Sequence, residues 1–205
     1  MKYLIANWKA KKTLKEVEAW LKTFKENHSV GKENVTVILA ASAPHLTTVK
    51  TAIEGLSQVY CAAQSVSDKA AGSFTGEVTA MALEGVVTYC IVGHSERRDL
   101  GETKEQIEKQ IKNLLESNIT PILCIRSVED FPTGYTGMVA YEQPEAIGTG
   151  NNTAVNDVMD LYRKLNLSDD STFLYGASVD ENNCKEYLDR PEIMGFLGGT
   201  ASLDP

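Results

Sequence analysis

Three polar residues in this 205-residue chain stand where apolar runs end, and their types can move protons. Glu142 follows Met138-Val139-Ala140-Tyr141, which reads as a buried strand, so it stands at a carboxyl end, where parallel sheets place their ligands. A carboxylate there can act as a general base. His94 follows the run Thr88 to Val92, and a neutral imidazole can polarise a carbonyl. Lys9, after Tyr3 to Ala6, is a fixed cation. Beyond Glu142, Gln143-Pro144-Glu145 reads as a stiff hinge and Gly148-Thr149-Gly150 as a flexible one, with backbone N–H groups able to face an anion. Singly, each residue also has an ordinary reading: a solvent-facing Glu, a hydrogen-bonded core histidine, an exposed lysine, a turn glycine.

The ends of the other apolar runs add Asn7, Gln64, Glu96, Arg126, Ser178 and the segment Gly198-Gly199-Thr200. Together these make a base, an electrophile, a cation and three Gly-rich or Ser-bearing loops able to hold a phosphate. That set suits proton abstraction beside the carbonyl of a phosphorylated sugar. A carboxylate removes the C–H proton, donors and positive charge receive the developing enediolate, and a phosphate grip away from the chemistry orients the molecule.

Those residues need strands ending on one side, and the chain supplies alternating short apolar runs and helix-period segments. The runs are Tyr3 to Ala6, Val35 to Ala41, Val59 to Ala63, Thr88 to Val92, Ile119 to Ile125, Met138 to Tyr141, Phe173 to Tyr175 and Phe196-Leu197. Between them, Thr13 and Glu16 are spaced as a capping box before the stripe Leu14, Val17, Leu21 and Phe24. Ser42-Ala43-Pro44 starts a helix carrying Leu46, Val49 and Ile53. Thr103 and Gln106 precede Ile107, Ile111, Leu114 and Leu115, and Val155, Val158, Met159, Tyr162 and Leu165 mark a later helix. Right-handed β/α units follow, and eight of them close a barrel. An open doubly wound sheet is the alternative, but its GxGxxG fingerprint after the first strand is absent. The expectation is one barrel domain over residues 1–205 with its fifth and eighth helices shortened or missing. Only Arg126 to Gly137, with Pro132, Gly134 and Gly137, separate strands five and six, and only Gly199 to Pro205 follow Gly198. Ser65 to Glu77 forms an unusually long polar loop.

Composition narrows the partners. With 20 basic against 28 acidic residues, the net charge of −8 argues against nucleic acid or an anionic membrane as the main partner. No run is long enough to span a bilayer and MKYLIANWKA is too polar for a signal peptide, so a cytoplasmic protein is expected. Cys61, Cys90, Cys124 and Cys184 have no metal-ligand spacing and read as buried reduced thiols. Histidines at 28, 45 and 94 offer little for a zinc site.

Six segments carry a resemblance: Asn7-Trp8-Lys9, Ala63-Gln64 with Thr75-Gly76-Glu77, Val92 to Arg98 (VGHSERR), Tyr141-Glu142 with Ala146 to Gly150 (AIGTG), Tyr175 to Val179 (YGASV), and Ala201 to Pro205 (ASLDP). In this order, across the whole length, they resemble the triosephosphate isomerase family. The resemblance implies interconversion of dihydroxyacetone phosphate and D-glyceraldehyde 3-phosphate, in glycolysis and gluconeogenesis, without cofactor or metal. It implies Glu142 as the base and His94 as a neutral electrophile, a neutrality that is carried over as the family's own known case. Lys9 would supply charge with Asn7 beside it, Glu96 would be the acid near the lysine, and Ser95 would hold the base. Backbone N–H groups of Gly148, Ser178, Gly199 and Thr200 would hold the phosphate. Gln143 to Gly150 resembles a mobile lid. Ser65 to Glu77, with Thr75 at its tip, resembles a loop that inserts into a second subunit, which implies a homodimer or a higher oligomer.

The sequence also departs from the family pattern. The first hinge reads Gln-Pro-Glu, Ala177 replaces a glycine, Arg126-Ser127 replaces a Gly-Glu pair, and Thr200 falls at a glycine position where φ > 0 would strain it. The flank left bare by missing helices is expected to be covered by irregular loop or another subunit. Rival readings are a phosphate-binding barrel without turnover, an interaction protein working through Ser65 to Glu77, and an isomerase of another phosphorylated sugar. A mere binder would need neither Glu142 nor His94.

Overall fold

The computed structural model describes residues 1–28, 34–143 and 153–205. Eight strands pair in parallel, in chain order, and close into a barrel. They are β1 (Lys2–Asn7), β2 (Val35–Ala41), β3 (Val59–Ala63), β4 (Tyr89–Val92), β5 (Thr120–Ile125), β6 (Met138–Tyr141), β7 (Thr172–Tyr175) and β8 (Ile193–Gly198). Their runs are apolar on both faces because one face fills the barrel and the other lies under the outer layer. Ile5, Ile38, Ile91, Ile122, Leu174 and Leu197 fill the interior. Leu39, Val92, Leu123, Val139 and Phe173 belong to the outer core. Gly195 lets β8 reach β1: its φ is +151°, and a Cβ there would collide with the backbone of Tyr3.

The helices α1 (Leu14–Asn27), α2 (Leu46–Ile53), α5 (Lys104–Glu116) and α6 (Val155–Leu165) match the expected segments. Both capping boxes form, Thr13 with Glu16 and Thr103 with Gln106. The buried face of α1 contains Val17, Trp20 and Leu21, while Leu14, in the first turn, is exposed rather than part of the packed stripe. On α5, Ile107, Ile111 and Leu114 are buried and Leu115 is exposed. Two short helices, α3 (Ala80–Leu83) and α4 (Ser95–Asp99), lie on either side of β4, and α7 (Cys184–Leu188) follows β7.

The helix after β5 is missing, as expected, and the turn Val128–Asp130 takes its place. Val128, Phe131 and Tyr135 pack on the core there, and the Tyr135 hydroxyl reaches the carbonyls of Pro121 and Met138 at 3.2 and 3.3 Å. That flank is therefore covered by irregular loop. After β8 only the turn Thr200–Ser202 forms. Over β1 and β8 an apolar groove of about 430 Å³ stays open, lined by Leu4, Trp20, Phe24, Leu39, Leu188 and Phe196. No described helix is long and apolar enough to cross a membrane.

Candidate active site

The carboxyl ends of the strands place Lys9 after β1, His94 after β4, Glu142 after β6, and the segments after β7 and β8 around one cavity of about 360 Å³. Glu142 is 1% exposed and bonded on both oxygens: Oε1 lies 2.9 Å from Nε2 of His94, and Oε2 accepts from the backbone N–H of Ser95 at 3.1 Å. His94 caps α4, its Nδ1 accepting from the N–H of Glu96 at 3.2 Å. With Nδ1 an acceptor, the proton of a neutral ring sits on Nε2, where it points at the carboxylate. Ser95 holds the Glu142 carboxylate through its backbone, and its hydroxyl has no partner among the described residues.

Lys9 adopts φ 51°, a left-handed conformation that costs a non-glycine residue energy. Its surroundings fix it there. Its N–H donates to Oδ1 of Asn7 at 3.1 Å, and its carbonyl accepts from Gln64 at 3.0 Å and Ser42 at 3.3 Å. Its ammonium donates to Oε1 of Glu96 at 2.7 Å. A Cβ on Gly199 would approach Cε of Lys9 at 3.3 Å, so the glycine leaves the lysine its path.

Gly176, Ala177, Ser178, Gly199 and Thr200 line the same cavity as the Glu142–His94 pair. Thr200 is not among the residues with positive φ; it starts a 3-10 turn, so the strain expected there does not arise. Asn7 and Glu96 line an adjoining hollow on the other side of Lys9 rather than the main cavity. Arg126 is not brought to the site, because Asp99 and Asp130 hold it outside at 3.4 and 3.3 Å. Gly148 and the stretch 144–150 lie outside the described residues.

Three cysteines are buried, and Cys184 is half-buried, which corrects the expectation of four buried thiols. Burial, and then the charge of Glu142, pushes the Cys124 thiol well up. Contacts that the sequence did not reveal complete the support. Thr153 bonds to Gln143, and Tyr175 and Tyr187 bond to the backbone of Thr153. Arg98 is ion-paired with Asp130 at 3.1 Å. No spacing signal links residues so far apart in the chain.

A parallel β/α barrel with a paired carboxylate and imidazole and a nearby ammonium at its carboxyl face defines a class of acid–base enzymes. The family model described as triosephosphate isomerase matches residues 2–205. Relatives of that name are similar over nearly the whole chain. The one from Acaryochloris marina is 36% identical, covering 98% of this chain and 93% of its own length. Those from Aquifex aeolicus and Synechocystis are each 34% identical, covering 98% and 100% of this chain and 94% and 95% of theirs. The chain belongs to the triosephosphate isomerase family and is an isomerase.

Proposed function

We propose that Glu142 and His94 interconvert dihydroxyacetone phosphate and D-glyceraldehyde 3-phosphate through an enediolate. The contact of 2.9 Å between base and electrophile, facing a cavity that also holds Lys9, carries this reading. On binding, the substrate carbonyl replaces Glu142 as the acceptor of the His94 Nε2 proton. The freed carboxylate takes the proton from the adjacent carbon. His94 protonates that enediolate oxygen and takes the proton of the neighbouring hydroxyl in exchange, so its ring ends neutral, while Glu142 returns the carbon proton to the neighbouring carbon. The Lys9 ammonium offsets the developing charge, with Asn7 and Glu96 fixing the lysine. Backbone N–H groups of Ser178, Gly199 and Thr200 hold the phosphate, together with Gly148 as the family resemblance implies.

The wider reading is of one domain over 1–205, acting in the cytoplasm as a homodimer. Support for the dimer is the loop 65–77, exposed from Lys69 to Glu77, which presents Phe74 and Thr75 to solvent. A coupled assay for glyceraldehyde 3-phosphate conversion on the wild type and Glu142→Gln tests the chemistry. Turnover that falls in the variant by about 10²-fold or more is the expected result. A folded but inactive wild type would defeat the proposal.

A further inference from the structure

We infer that Arg98, anchored by Asp130, is a positioning residue for both members of the Glu142–His94 pair. The inference rests on the proposed chemistry above. The Arg98 side chain is 5% exposed and does not line the cavity. Its Nε donates to the carbonyl of Gly93 at 2.7 Å and its Nη2 to that of Cys124 at 3.1 Å. Gly93 is the residue before His94, and Cys124 precedes Ile125, whose carbonyl accepts from the backbone N–H of Glu142 at 2.8 Å. One planar fork thus ties the end of β4, which aims the imidazole, to β5 beside the carboxylate.

The fit leaves little slack. Gly93 has φ +66°, and a Cβ on it would stand 2.8 Å from Nη2 of Arg98 and 3.1 Å from the Cys124 oxygen. Burial works against the charge on Arg98 and Asp130 counters it, with Oδ1 3.1 Å from Nη1. The other carboxylate oxygen of Asp130 accepts from the backbone N–H of Arg126 at 2.9 Å. Asp130 lies in the turn that stands where a covering helix is missing. That connection therefore supplies the anion that fixes the fork, besides closing the flank.

The test compares Asp130→Asn, Asp130→Glu and Arg98→Lys with the wild type by steady-state kinetics, after circular dichroism has shown each to be folded. Misplacing reacting groups costs kcat while substrate binding survives, so we expect kcat to fall about 10-fold or more in Asp130→Asn and Arg98→Lys. KM should stay within about twofold in both, since neither residue lines the cavity. Asp130→Glu, which keeps the charge, should recover much of the loss. If Asp130→Asn does not fold, Arg98→Lys decides, because it keeps the charge and loses only the fork. Unchanged kcat in a folded variant, or a KM that rises while kcat holds, overturns the inference. Absence of turnover in the wild type would instead defeat the proposed function.

Discussion

The hydroxyl of Thr153 donates to Oε1 of Gln143 at 2.6 Å, joining the residue after Glu142 to a residue ten positions later. Thr153 is itself pinned. Its N–H donates to the Tyr175 hydroxyl at 2.8 Å, its carbonyl accepts from Tyr187 at 2.5 Å, and the two tyrosine rings stack at 4.5 Å. The neighbour of Glu142 is thereby anchored to the buried aromatic layer.

Thr153→Val keeps both backbone bonds and removes only the hydroxyl. We expect a stability loss of about 1 kcal/mol, read from urea midpoints, because Gln143 loses its partner. A fall in kcat of about 3- to 10-fold should accompany it as Glu142 gains freedom. An unchanged kcat would show that the Gln143 link does not act on the base.

Lys9 separates charge from backbone strain. Lys9→Ala and Lys9→Gly should both lose most activity, but only glycine relaxes the φ of 51°. The glycine variant should be the more stable, by up to about 1 kcal/mol in chemical denaturation. If the alanine variant proves more stable, the left-handed conformation is not a source of strain.

Thr200 gives the opposite expectation. Its φ is not positive, so Thr200→Gly has no strain to relieve. KM should stay the same or rise by no more than about threefold as the turn loosens. A tightened KM would mean that the threonine side chain hinders the phosphate.

How the site reads from sequence depends on range. Strand ends were legible because each apolar run is buried on both faces, and Lys9, His94 and Glu142 each follow one. The extent of β8 was not, since Gly195 separates Ile193-Met194 from the apolar pair Phe196-Leu197. Ala80–Leu83 is too short for a stripe to repeat. Arg98 with Asp130, and Thr153 with Gln143 and Tyr187, are joined through space by the closed barrel. Their chemistry becomes visible only once the strands have been placed. Thr200 shows the limit of family register, because the local turn, and not the glycine it replaces, sets its backbone.

The cysteines give a pH test with a definite sign. Burial raises the Cys61 thiol from 9.0 to about 12, and burial also raises Cys90 and Cys124. A raised folded value means that their contribution to stability is fully present below about pH 9 and is lost as pH climbs towards 12. A thiol reagent at pH 8 should therefore modify Cys184 alone in the native protein, and all four after unfolding. Rapid native labelling of Cys61 would contradict its burial.

The open groove over β1 and β8 bears on how the cylinder comes together and comes apart. Those two strands join the most distant parts of the chain, with Tyr3 opposite Gly195, so their pairing carries the largest loop-closure cost. With Leu4 47% exposed, little outer packing rewards that closure. The bond from Lys2 to the carbonyl of Ile193 at 2.6 Å and that from Lys12 to Leu203 at 2.8 Å tie the seam at its two ends. The ring should zip shut there last and breathe there first, and amide protons of β1 and β8 should exchange with solvent ahead of those in β4 and β5.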